Sequence, residues 1–419
     1  MDLSKLIEKK ADYAQYMFEE IKHICTKFEK RDPGSNGEKQ ACEYMGGVLK
    51  DLGCDRVDVE PFKENPKSFY GWIYITMTCV LAAVALFVIG AAVGGTMAVV
   101  LPLIGAALIV FGLVIVLLQF GVYKKAVDSL FPEETGHNVT AFKKPTGEVK
   151  RRIIFNGHPD AAWEWPVNYK LGGVGFEGHA IICGVGAVFY LVLSIIAAVK
   201  AAGGADIGGL LKAGLWGLIF VPFFIGLYFM VNYKIVVDGA NDNLSGCYMG
   251  IALLKALKDE GIEFENTELG VVLTGSEEAG LRGAKAWCEA HKNDFNDVPT
   301  FIYSYDTIHD PKYLLVNYRD LNATVKADKD VSDLFMESAQ ELGILCNKGM
   351  VPPLGGATDS AAFAQAGLRA TGITGLNHKL ESYYHTRKDS WDNMNLDGLA
   401  DCFAVSVKVL EKFDGGAKQ

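Results

Sequence analysis

Five short segments of the chain bring carboxylates and imidazoles together. They are Asn156-Gly157-His158-Pro159-Asp160, Asp238-Gly239-Ala240-Asn241-Asp242-Asn243, Thr274-Gly275-Ser276-Glu277-Glu278-Ala279-Gly280, Tyr305-Asp306 and Tyr384-His385-Thr386. Each alone has an ordinary explanation. A His-x-Asp is commonly a surface pair, and Glu277-Glu278 reads as a solvated turn or helix start. Asp242 can cap the helix that follows it, Asp306 can close a strand turn, and His385 can be a packed ring between its neighbours. The set has a different meaning, because the first four segments stand just past predicted strands. In an open α/β sheet the ligand crevice lies outside the carboxyl ends of the strands. Two imidazoles and several carboxylates converging there suit Zn²⁺, with Mn²⁺ or Co²⁺ as alternatives.

The elements that must position these residues alternate between strand and helix. Residues 3–28 carry Ile7, Tyr13, Met17, Ile21 and Ile24 at helical spacing, and 38–52 is a second helix stopped by Gly53. Segments 138–142 and 152–156 read as strands around a turn at 144–147. Continuous apolar strands follow at 269–274 and 300–305, as in a sheet buried on both faces. Helices are expected at 243–258, 360–366 and 396–413. This order predicts an α/β fold, a mainly parallel mixed sheet flanked by helices.

Composition adds a membrane. The chain has 419 residues, half of them hydrophobic and 21% charged. Its net charge of −10 excludes a generally basic nucleic-acid binder. Nine cysteines, an odd count with no CxxC, argue for reduced thiols rather than a disulfide framework. The N-terminus shows no apolar signal-peptide core, so no cleaved leader is expected. Residues 68–123 contain no Asp, Glu, Lys, Arg or His. A bilayer-crossing helix needs about 20 apolar residues, so this zone is long enough for two, at 69–93 and 97–122. A second zone gives spans at 179–199 and 213–233. These are four transmembrane helices in two inserted hairpins, which puts 1–67, 124–178 and 234–419 on one side. Lys63, Lys67, Lys124, Lys125, Lys170 and Lys234 flank that side, against Lys200 and Lys212 on the other. The positive-inside rule then places the soluble part in the cytoplasm.

Along this order of motifs the chain resembles the co-catalytic di-zinc aminopeptidases and carboxypeptidases, metallopeptidase family M28. The resemblance begins at Arg31-Asp32-Pro33-Gly34-Ser35-Asn36-Gly37-Glu38. It continues through Asn138-Val139-Thr140-Ala141, His158-Pro159-Asp160, the Asp242 and Glu277-Glu278 segments and Asp306. It ends at His385-Thr386-Arg387-Lys388-Asp389-Ser390-Trp391-Asp392. It implies a zinc-exopeptidase-like fold and two divalent metal ions, most simply Zn²⁺. By the same resemblance, His158 and Asp306 serve one metal, Glu278 and His385 the other, and Asp242 bridges both. Glu277 is the general base, and Asp160 orients His158. Gly355-Gly356-Ala357-Thr358-Asp359-Ser360 stands where the family has a late substrate-side loop but departs from its Ser-Asp-His form. The catalytic domain is thus expected in three parts, 1–67, 124–178 and 234–419. The transmembrane hairpins between them are expected at 68–123 and 179–233.

The expected activity is hydrolysis of a peptide or amide bond in a membrane-embedded, zinc-dependent aminopeptidase. The alternatives are an amidohydrolase for N-acylated or lipid-like amides, a glutaminyl-cyclase-like acyltransferase and an inactive scaffold. The expected partners are a peptide or hydrophobic amide substrate and the lipid bilayer, with no nucleic acid. Relatives are commonly soluble or carry their spans outside the fold, whereas here the second hairpin lies between Asp160 and Asp242. Trp163, Glu164 and Trp165, just after Asp160, are read first as an interfacial aromatic anchor, with the lining of an entrance for substrate from lipid as the alternative.

Overall fold

The apolar segment expected at 269–274 lies inside a strand, Thr267–Thr274, that is buried at every position. It belongs to a nine-stranded mixed sheet in a computed structural model that describes residues 2–377 and 381–418. The strands are β1 (Arg56–Glu64), β2 (Glu134–Lys143), β3 (Arg151–Gly157), β4 (Trp163–Glu164), β5 (Asn232–Val236) and β6 (Thr267–Thr274). They continue with β7 (Thr300–Ile308), β8 (Leu315–Asp320), β9 (Val325–Lys326), β10 (Asn347–Met350) and β11 (Arg369–Gly375). The sheet order is β1-β2-β6-β3-β7-β11-β8-β10, with β9 on β8, while β4 and β5 pair separately. The central run β6-β3-β7-β11 is parallel, and antiparallel pairs join it on either side. The mainly parallel mixed sheet read from the sequence is therefore present.

Segments 138–142 and 152–156, expected as strands around a turn, are both strands but not neighbours in the sheet, because β6 lies between them. The connection itself explains this. Thr146 N, Gly147 N and Lys150 N donate to the carbonyls of Phe264, Glu265 and Asn266, just before β6. The turn is thus bonded to the approach of β6, and that strand takes the neighbouring place.

Helices cover the sheet. Lys10–Lys27, Ser245–Asp259 and Leu396–Asp414 share one buried cluster, in which the Tyr13 and Phe403 rings stack at 5.1 Å. The single helix expected at 3–28 is two, Ser4–Glu8 and Lys10–Lys27, broken where Lys9 leaves helical geometry. Lys5 and Lys9 both pair with Glu260. The next helix begins two residues earlier than expected, at Asn36, since Ser35 caps it by accepting from Glu38 N at 3.1 Å.

The chain divides into two units. The first is Met1–Pro66, Pro132–Glu164 and Tyr233–Gln419, and holds the nine-stranded sheet. The second is Lys67–Phe131 and Trp165–Asn232. It supplies four helices long and apolar enough to cross a membrane: Pro66–Val93, Met97–Gly121, Pro166–Ala202 and Gly208–Leu227. The third reaches well beyond the charge-free stretch at 179–199. Pro166 starts it, and Gly172 (φ 68°) interrupts its helical geometry, so its first turns carry Lys170 and Glu177 ahead of the apolar run. Small residues let these helices approach closely. A Cβ on Gly105 would stand 3.2 Å from the Ala83 carbonyl, and Thr76 Oγ1 donates to Gly112 O at 2.9 Å. The outward faces are apolar, with Val174, Trp216, Ile219 and Ile225 exposed.

Candidate metal centre

The carboxyl ends of the parallel strands deliver most of the site. His158 and Asp160 follow β3, Glu277 and Glu278 follow β6, and Asp306 lies near the end of β7. Asp242 comes from a tight turn after β5, and His385 from a turn late in the chain, where its φ is 52°. The structure brings these residues together. His158, Asp242 and Asp306 each offer one ligand atom within 4.8 Å of the others, and Asp242, Glu278 and His385 do the same. Asp242 belongs to both triads, through different oxygens. His158 Nε2 stands 3.3 Å from Asp242 Oδ1, and His385 Nε2 lies 3.2 Å from Asp242 Oδ2 and 3.1 Å from Glu278 Oε1. All five are buried.

This donor set fits two divalent cations. His158 Nε2, Asp242 Oδ2 and Glu278 Oε1 are buried and make no hydrogen bond of good geometry; such atoms are costly unless something else satisfies them. The electrostatics point the same way. Burial, and then the Asp242 charge, push the Asp306 carboxyl up to about 8. Burial pushes Glu277 up, opposed by His158 and reinforced by Asp306 and Asp359. For His385, burial works against protonation, but Glu278 and Asp242 outweigh it and raise the ring to about 10. So much buried negative charge needs a positive partner.

Asp160 has two jobs. Its Oδ1 lies 3.3 Å from His158 Nδ1, as an orienting carboxylate should. It also accepts from Glu277 N at 3.1 Å and Glu278 N at 3.0 Å, so it holds the whole Glu277-Glu278 turn. Glu277 Oε2 is 4.0 Å from His158 Nε2, on the same side of the cluster.

Several contributors were not singled out from the sequence. Arg31 is buried and donates from Nε to Pro159 O at 2.7 Å and from Nη2 to Asp238 O at 2.6 Å, joining the His158 and Asp242 segments. Asn243 donates to Tyr305 O at 2.7 Å and accepts from Thr307 N at 3.2 Å, which fixes the Asp242 turn to the strand bearing Asp306. The Asp242–Asn243 peptide is cis. Asp389 accepts from Asn241 N at 2.9 Å and Asp242 N at 3.1 Å, and burial followed by Asp242 raises its carboxyl to about 7. Its place in the same motif as His385 was the available signal. In the late loop, Thr358 and Ser360 donate to Asp320 Oδ2, each at 2.7 Å, and Asp359 accepts from Thr274 Oγ1 at 2.5 Å.

Trp163 and Glu164 are buried; Trp163 packs edge-on against Tyr233, and Glu164 takes a two-pronged contact from Arg387 at 2.6 and 2.8 Å. The short β4 strand turns both side chains into internal contacts. Trp165 is instead stacked on Phe176 at 4.5 Å.

Residues 228–410 match the model of peptidase family M28. Among solved structures, an aminopeptidase from Aneurinibacillus sp. strain AM-1 is similar over 97% of this chain and 95% of its own, at 14% identity and a TM-score of 0.57. A zinc aminopeptidase from Bacillus subtilis is similar over 96% and 95%, at 12% identity and a TM-score of 0.55. Bacteroides thetaiotaomicron glutaminyl cyclase is similar over 96% of each chain, at 12% identity and a TM-score of 0.52. These likenesses establish the zinc-aminopeptidase fold. No curated protein matches the sequence significantly.

Proposed function

From the M28 peptidase domain carried over residues 228–410, we propose that this chain is a membrane-anchored, zinc-dependent aminopeptidase. One observation carries the reading: Asp242 is common to two complete ligand triads. His158 and Asp306 would hold one ion and Glu278 and His385 the other, with Asp242 shared. Two ions so held would supply acidification of water and polarisation of the scissile carbonyl. Glu277 accepts the attacking water's proton and returns it to the leaving amine. Asp160 keeps the His158 ring in register, and its grip on Glu277 N and Glu278 N separates the roles of the two adjacent glutamates. The catalytic unit sits in the cytoplasm, on the Lys-rich side of the four spans.

Glu277→Gln tests the chemistry. Turnover of an aminoacyl amide should fall about 10²–10⁴-fold with both metals retained. Undiminished turnover in that variant refutes the base assignment. A glutaminyl-cyclase-like reading shares the fold, but a single-zinc centre would leave one of the two triads idle, so the metal count discriminates. The second hairpin's position between Asp160 and Asp242 favours a more specific substrate class, hydrophobic peptides or N-acyl amides. Each CH₂ kept in an apolar phase is worth about 0.8 kcal/mol, so kcat/KM should rise along a chain-length series in nanodiscs. A flat series returns the reading to an aminopeptidase for ordinary peptides.

A further inference from the structure

Five residues late in the chain, His385-Thr386-Arg387-Lys388-Asp389, carry more of the centre than the proposed mechanism uses. His385 opens the segment as a member of one triad, and Asp389 closes it by accepting from Asn241 N and Asp242 N. Arg387 stands between them and reaches β4. Its Nε donates to Glu164 Oε1 at 2.6 Å and its Nη2 to Glu164 Oε2 at 2.8 Å, while its backbone N donates to the same Oε1 at 3.4 Å. Two parallel bonds from a planar guanidinium fix direction as well as distance. The receiving carboxylate is itself well held: the Glu164 side chain is 2% exposed, and its neighbour Trp163 donates from Nε1 to Asp32 Oδ2 at 3.3 Å.

The His385 turn needs such a hold. The φ of His385, 52°, lies in the left-handed region, which is uncommon for a residue with a Cβ. A conformation of that kind persists only where its surroundings determine it. Within the segment, Thr386 N and Thr386 Oγ1 both donate to Tyr383 O at 2.9 Å, and Asp389 N donates to Thr386 O at 2.9 Å. These bonds are local and set the shape of the turn rather than its place. Asp389 places it against the Asp242 turn, and Arg387 places it against β4. The two attachments are unequal. Asp242 belongs to both triads, whereas Arg387 stands two residues from His385, which belongs to one.

We propose that Arg387 and Glu164 are positioning residues that hold the His385 turn for one ion of the pair, the one ligated by Asp242, Glu278 and His385. Glu164 is also the last residue of the first unit before the chain enters the apolar helix Pro166–Ala202. The turn bearing a ligand is thus bonded to the point where the second insertion begins. The inference rests on the assignment of His385 as a metal ligand.

Zinc binding to the full chain in detergent tests it, read by competition with a chromogenic chelator and with no substrate present. Glu164→Gln, which conserves shape, and Arg387→Ala should each weaken one of two zinc ions about 10–100-fold, the scale typical when a group behind a metal ligand is lost. The other ion should keep its wild-type affinity. The double variant should be no weaker than the weaker single one, because the two residues act through one contact. In a His385→Ala background, which should bind one ion, adding Arg387→Ala should leave the affinity for that ion unchanged. A pair that merely supported the fold would weaken both ions together and would act in that background as well. Two ions at wild-type affinity in both single variants overturn the positioning role. So do additive losses in the double variant, or a further loss in the His385→Ala background. Retention of two ions by His385→Ala alone instead overturns the ligand assignment on which the inference stands.

Discussion

Asp160→Asn isolates the residue that serves both halves of the centre. The carboxylate is 0% exposed and spends one oxygen on Glu277 N and the other on Glu278 N, at 3.1 and 3.0 Å, with Oδ1 also facing His158 Nδ1. An amide of the same shape has one acceptor oxygen. Its NH₂ must then face one backbone N–H or the imidazole, and no rotamer avoids both losses. One charge-assisted hydrogen bond is worth about 1.5–3 kcal/mol, which corresponds to about 10–100-fold in an equilibrium constant. The same range is typical when a carboxylate behind a metal-bound histidine is lost. Zinc affinity, measured by competition with a chromogenic chelator, should therefore fall about 10–100-fold in Asp160→Asn. Asp160→Ala should fall further, because both N–H groups lose their acceptor. The far-ultraviolet circular dichroism should not change in the Asn variant, since volume is conserved. Unchanged zinc affinity in a folded Asp160→Asn protein would refute the claim that this carboxylate organises the ligands.

Three further outcomes follow from the same geometry. His385→Ala removes a ligand from one triad only, so elemental analysis should show loss of one metal of two; retention of both would remove His385 from the centre. Arg31→Ala frees the carbonyls of Pro159, Asp238 and Gly239 from a guanidinium and should lower the thermal midpoint by several degrees, at about 1.5–3 kcal/mol per charged hydrogen bond; an unaltered midpoint would make that contact incidental. In a background lacking the nine native cysteines, a cysteine at Gly95 or Gly204 should react with an impermeant thiol reagent in intact cells while one at Lys388 should not. The reverse pattern overturns the cytoplasmic orientation.

The ligand segments were legible because turn chemistry and metal chemistry coincide there. His158-Pro159-Asp160 and Glu277-Glu278 follow apolar strands, and strand ends are where an α/β sheet exposes its crevice. Glu38 reads as the start of a helix, with no sign that it reaches Ser276, because that contact spans 238 residues. Arg31 to Pro159 spans 128 and Asn241 to Asp389 spans 148. Such contacts leave no local pattern, and a buried Arg or Asp looks like a surface one until its partners are known. The strand order was not legible for a related reason: hydrogen bonds from the turn after 138–142 to residues 264–266 place β6 between that segment and 152–156. In the apolar zones the charge-free stretches marked the long apolar helices but not their ends, which Pro166 and Gly172 set for the third.

The two insertions are closed at their necks by contacts inside the first unit, and this explains how the candidate site tolerates them. β1 and β2 flank the first hairpin and pair antiparallel from Arg56↔Phe142 to Glu64↔Glu134. The second is bracketed by the β4–β5 pair, by Val237 N donating to Ala162 O at 3.0 Å, and by Arg31 reaching Pro159 O on one side and Asp238 O on the other. The entropy of closing a loop grows only logarithmically with its length, so once a neck is held, the length beyond it adds little cost. The first neck invites a direct test, because Glu64 and Glu134 already face each other across the ladder. A two-residue Asn-Gly turn suits such an antiparallel pair and can replace residues 65–133. None of the five proposed ligands lies in the excised segment, and the β1–β2 ladder survives. The shortened protein, purified in detergent because the second hairpin remains, should bind two zinc ions as the full chain does. A folded but metal-free product would mean that the first hairpin, and not the neck, maintains the geometry of the ligands.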